Sequence, residues 1–140
     1  MSGQVLTLEP STAVPWHQRP TALVTVAAAR LLARLSPRRL RQVLELARRG
    51  ARPADLPQAL RARNAVVSVS VAIAGPRCLE RSIATALLCR LGGTWPQWCT
   101  GVTTQPFAAH AWVAVDGDPV GEDPDAVTDF HLVMSVPARR

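Results

Sequence analysis

The 140-residue chain has no lysine and no tyrosine; all sixteen basic side chains are arginine. Aromatic residues make up only 4% of it, as four tryptophans and two phenylalanines. With no interleaving of basic and aromatic residues and no nucleic-acid motif, no nucleic-acid partner is expected. No apolar run reaches the roughly 18 residues of a membrane span. The most hydrophobic stretch, residues 22–35, is interrupted by Arg30 and Arg34. Three cysteines without CxxC pairing or a close histidine give neither a disulfide framework nor a zinc site. The first twenty residues lack a basic start followed by an apolar core, so they do not read as a signal peptide. Reduced thiols and a cytoplasmic location are the expectation. No metal or nucleotide motif is present, and no cofactor is expected.

What remains is one domain's worth of chain with enough apolar material for a core, at 48% hydrophobic. Charge is uneven. Residues 1–63 hold 11 Arg against 3 acids (+8), and residues 64–140 hold 5 Arg against 7 acids (−2). A basic half attracts acidic peptides or a partner protein, or is simply a set of solvated helix faces.

Residues 1–19 read as an irregular segment, broken by Pro10 and Pro15, ahead of a single domain over 20–140. A buried helix is expected over Thr21–Leu35. Ser36 and Pro37 supply an N-cap and first-turn proline for a second helix to Arg49, with Leu40, Val43, Leu44 and Ala47 as one stripe and Gly50 past its end. Ala51-Arg52-Pro53 reads as a connector. Residues 57–74 carry conflicting helix and strand signals and are read as one helix. A further helix, Arg77–Leu91, follows Gly75-Pro76, with Leu79, Ile83, Ala86 and Leu87 as its core stripe. Strands are expected over 98–103, 108–115, 120–122 and 130–136. The fold class is therefore α+β, a helical half (20–92) packed on a small antiparallel sheet (95–136).

Two segments carry chemistry. Cys78 stands at a helix start, where orphan N–H groups and the helix dipole favour a thiolate and can form part of an oxyanion hole. His110 stands on a strand that runs into an Asp116-Gly117 hairpin turn. A two-residue loop sets position 110 opposite Asp123; a loop centred on Asp116 sets it opposite Glu122. Either carboxylate can hold the far N–H of the imidazole, but adjacent strand residues face opposite ways, so only one does. Gln97 is a candidate oxyanion donor. Trp95, Trp98 and Trp112 are candidate walls of a peptide groove or plain core. Cys89 and Cys99 read as core, and His17 and His131 have no comparable partner.

Four segments in order resemble the protease part of the lasso-peptide biosynthesis B protein, within the transglutaminase-like, papain-type cysteine enzymes. They are Cys-Leu-Glu-Arg-Ser (Cys78 to Ser82), Gly-Thr-Trp-Pro-Gln-Trp-Cys-Thr-Gly-Val (Gly93 to Val102), Pro-Phe-Ala-Ala-His-Ala-Trp-Val (Pro106 to Val113) and Pro-Val-Gly-Glu (Pro119 to Glu122). The resemblance implies a papain-type core with Cys78 as nucleophile and His110 as general base and then acid. Its third member is commonly Asp, and Glu122 takes that position here. It implies removal of the leader from a ribosomally made precursor. It also implies a separate leader-binding recognition protein, since the chain is short for both parts, and a downstream asparagine-synthetase-like lasso cyclase. Two other classes fit the residues: a non-catalytic docking module of a maturation complex, and transglutaminase-like acyl transfer or deamidation on another substrate.

Overall fold

The computed structural model describes residues 19–70 and 78–138. Residues 1–18 of the expected irregular segment 1–19, His17 among them, the end of the 57–74 helix and the Gly75-Pro76 turn lie outside the described residues, while Arg19, expected to be irregular, begins the first helix. Helix α1 is Arg19–Leu32, α2 Pro37–Arg48, α3 Leu56–Ser70 and α4 Cys78–Leu91. A short α5, Pro124–Thr128, was not expected. None of the described helices is long and apolar enough to cross a membrane.

Local chemistry sets these bounds. The Ser36 hydroxyl accepts from the Arg39 N–H at 3.4 Å, and Pro37 fills the first turn of α2. At the other end Arg90 of α4 donates to the carbonyls of Ala47 (2.6 Å) and Arg49 (3.0 Å), groups the helix itself cannot satisfy. Asp55 and Gln58 form a reciprocal capping box ahead of α3, at 2.8 and 3.0 Å. Ala59, Ala62, Ala65, Val66 and Val69 are all buried. That three-to-four spacing is helical, and it overrides the β-branched character of the segment.

The sheet runs in the order β5-β4-β3-β6, antiparallel throughout, with β3 Gln97–Thr104, β4 Phe107–Val115, β5 Asp118–Pro119 and β6 His131–Val136. Arg52–Pro53 (β1), expected as plain connector, pairs in parallel with Thr94–Trp95 (β2). The flanking N–H groups of Arg52 and Ala54 make the bonds, so proline's missing donor costs nothing there.

Strand alternation divides the sheet into two faces. Trp98 and Val113 join the main core with Ile83, Ala86 and Leu44. Cys99, Trp112 and Ala114 form a second cluster on the other face, with Val127 and Phe130. Buried Ser82, Thr85 and Cys89 form the small-residue stripe of α4 that lets the helix lie close to the sheet. Trp98 Nε1 donates to Ser82 Oγ at 3.0 Å, and Ser82 Oγ donates to Leu79 O at 2.8 Å. These bonds tie the first turn of α4, where Cys78 stands, to the start of β3.

The expected strand over 120–122 is not formed. The Asp116-Gly117 turn has two residues with positive φ (52° and 87°), and pairing follows as Val115 with Asp118 and Ala114 with Pro119. The Val120 N–H still bonds Val113 O at 2.9 Å. Gly121 then adopts φ 70°, a left-handed conformation that ends the strand.

Candidate active site

Turn register alone would set His110 opposite Asp123. The bend at Gly121 changes the outcome. The Glu122 carboxylate turns back to β4, with Oε1 2.9 Å from His110 Nε2. Asp123 faces elsewhere: its Oδ1 accepts from the Asp125 N–H at 3.0 Å and caps α5, with Pro124 in the first turn. An aspartate followed by proline suits a helix start, a signal the reading of this segment as strand passed over.

A carboxylate can only accept, so the Glu122 contact fixes the imidazole proton on Nε2 and leaves Nδ1 with a free lone pair. The ring is held from its sides too. Trp112 stacks on it at 5.6 Å between centroids and 19° between planes, and Phe130 lies 5.6 Å away, tilted by 47°. Gly101, paired with His110 across β3–β4, makes room for this cluster. A Cβ there would fall 3.1 Å from Trp112 and 3.2 Å from Phe130, and 2.8 Å from the His131 carbonyl.

Cys78 opens α4 and is half-buried. It borders two spaces. One is a cavity of about 320 Å³ shared with His110, walled by Leu35 and Leu40 on one side and Val102 and Val133 on the other. The second is a narrow cleft shared with Glu122, Arg63 and Arg81. The described residues give the Cys78 thiol no hydrogen bond. Arg63, from α3, places Nη2 3.8 Å from the second oxygen of Glu122, and both side chains are 19% exposed. Nothing in the local sequence around Arg63 signalled this, because the contact spans 59 positions of chain.

The other candidates lie apart. Gln97 pairs with Ala114, four rows and about 13 Å along the strand from His110. Its amide donates to Ser135 Oγ at 3.1 Å, and it lines neither space around Cys78. Trp95 is fully buried, with Nε1 donating to Val136 O at 3.1 Å, so it is core. Trp98, also fully buried, borders the 320 Å³ cavity, and Trp112 backs the imidazole. His131 is exposed at the start of β6. Among the described residues, no group of three or more His, Cys, Asp or Glu side chains is placed to hold a metal ion.

Burial separates the three thiols. It pushes Cys89 up to about 12 and Cys99 up to about 11, each partly offset by a hydroxyl hydrogen bond, from Thr94 and Ser135 respectively. At about pH 8 a thiol raised to about 11 is thiolate in only about one molecule in a thousand. Iodoacetamide in native buffer is therefore expected to alkylate Cys78 at least about 100-fold faster than either buried cysteine, read by peptide mapping.

A family model described as the transglutaminase-like superfamily matches residues 22–135. No curated protein and no solved structure matches the chain closely enough to add to this. With four-fifths of its length covered, the chain belongs to the transglutaminase-like superfamily. Its helices and four-stranded antiparallel sheet form the α+β core of that superfamily, which fits cysteine peptidase or acyltransferase chemistry.

Proposed function

We propose that this transglutaminase-like chain is a cysteine peptidase that removes the leader from a ribosomally made lasso-peptide precursor. A separate leader-binding protein presents the precursor, and the freed core passes to an asparagine-synthetase-like cyclase. The observation that carries the catalytic part is the oriented imidazole. His110 is held through Nε2 by Glu122 at 2.9 Å, its Nδ1 takes no hydrogen bond among the described residues, and Cys78 borders the cavity that His110 lines. The four segments that resemble the lasso B protein support the choice of substrate.

In this mechanism precursor enters the cavity and the sulfur–imidazole contact closes around it, as catalytic contacts often do only when substrate is bound. His110 Nδ1 takes the Cys78 proton and the thiolate adds to the scissile carbonyl carbon. The first N–H groups of α4, unpaired by helix geometry, face the developing oxyanion. The tetrahedral adduct collapses, the C–N bond breaks, and the imidazolium gives its proton to the departing amine of the core. Water, deprotonated by the same Nδ1, then cleaves the thioester and releases the leader as a carboxylic acid. Glu122 stays anionic and steadies the imidazolium in both halves.

The test incubates precursor, leader-binding protein and this chain, and follows leader and core by mass spectrometry. Hydrolysis leaves a leader carboxylic acid; acyl transfer leaves the leader joined to an amine. The two acids near His110 are expected to separate cleanly. Glu122→Gln keeps an acceptor for Nε2 but loses the charge, and lowers kcat/KM by about 10- to 100-fold. Asp123→Asn keeps a good N-cap and stays within about twofold of wild type. The reverse order would move the third member to Asp123.

A further inference from the structure

Glu122 is a long side chain for its task. It has one more rotatable bond than an aspartate, so a single hydrogen bond to His110 leaves its carboxylate free to swing. The structure holds the second oxygen as well. Arg63 reaches from α3 to within 3.8 Å of Oε2, while Oε1 faces His110 at 2.9 Å. A second observation concerns the route. The Arg63 side chain lies across Gly121, and any Cβ at that position would collide with it. Gly121 thus serves two ends: its φ of 70° turns Glu122 back towards His110, and its bare face lets the guanidinium pass.

We propose that Arg63 is a positioning residue that acts through Glu122, fixing the carboxylate so that it presents His110 Nδ1 to Cys78. The proposal rests on the catalytic reading given above. A partly buried ion pair at this distance contributes little to stability, because desolvation offsets most of the attraction. Its value here is orientation. Burial lowers the Arg63 guanidinium from its ordinary value, the Glu122 charge raises it, and the Arg81 charge lowers it further. Among the described residues, the charged and titratable groups around Glu122 are Arg63 from α3, Cys78 and Arg81 from α4, His110 from β4 and the adjacent Asp123.

The test needs no precursor. It measures the iodoacetamide rate at Cys78 at about pH 6 and about pH 9, with melting temperatures alongside. An oriented imidazole assists the thiol at the lower pH and matters little at the higher one, so the ratio of the two rates reports orientation. Arg63→Gln is expected to lower that ratio about tenfold, as Glu122→Gln does, with Arg63→Lys in between. Arg63→Met, which keeps much of the side-chain volume and removes the charge, is expected to act like Arg63→Gln and carries the test if Arg63→Gln does not fold. A folded Arg63→Gln or Arg63→Met with the wild-type ratio, while Glu122→Gln is lowered, overturns the role of Arg63 and leaves the relay intact. If His110→Gln and Glu122→Gln also keep the wild-type ratio, the catalytic reading itself falls.

Discussion

Replacing Cys78 with alanine is expected to abolish leader release, with turnover falling by about five orders of magnitude or more. The size of the effect follows from the mechanism: without a sulfur no thioester forms, and what remains is whatever the cavity does by binding and polarising the bond. Stability should hardly change. The thiol is half-buried and takes no hydrogen bond from the described residues, so its loss removes one sulfur from a partly solvated site. A shift of under about 1 kcal/mol is expected. Cys78→Ser keeps the volume but offers a hydroxyl, which the imidazole does not ionise as readily as a thiol, and loses most activity as well. Cys89→Ala and Cys99→Ala cut into the core instead and should lower the melting temperature without removing catalysis in the folded fraction. Quantitative mass spectrometry of the core product, with circular dichroism on each variant, checks this ordering.

Replacing His110 produces the second large loss, about 10³- to 10⁴-fold in kcat/KM, because one imidazole serves as base and then as acid. This substitution also has a structural cost. The ring packs against Trp112 and Phe130, and aromatic pairs of this kind contribute about 0.5–1.5 kcal/mol each. His110→Gln preserves more of that packing than His110→Ala. A thousandfold loss corresponds to about 4 kcal/mol of transition-state stabilisation, more than the loss of packing would explain in a protein still folded at the assay temperature. The measurement is therefore kcat/KM on protein shown to be folded, for both variants. A merely structural histidine would give equal kcat/KM per folded molecule.

The local parts of this arrangement were legible in the sequence, and the non-local parts were not. Ser36-Pro37 and Gly50 bracket α2 through capping chemistry that lies within a few residues. Asp116-Gly117 specifies its turn through the same kind of short-range constraint. Cys78 at the start of α4 and His110 on β4 follow from the α+β pattern. The region after the turn went differently. Val120 to Glu122 was read as strand, yet Gly121 breaks the ladder and Asp123-Pro124 starts a helix instead. Hairpin spacing left Glu122 and Asp123 open as the partner of His110, and the resemblance chose Glu122; the turn that forms would set Asp123 opposite, and the bend delivers Glu122. Arg63 was hidden altogether, since it reaches the site only through the packing of α3 against the rest of the fold. Gln97 and Trp95 show the converse: their spacing near the site in sequence says nothing of direction, and their side chains are committed to Ser135 and Val136.

The most direct measurement is acid-quench mass spectrometry of the wild-type chain mixed with precursor and leader-binding protein, followed by peptide mapping. A leader-sized adduct on Cys78 that hydroxylamine removes, and that is missing in His110→Gln, is the predicted result. Leader release by Cys78→Ala at the wild-type rate, or an adduct carried by Cys89 or Cys99, would contradict it.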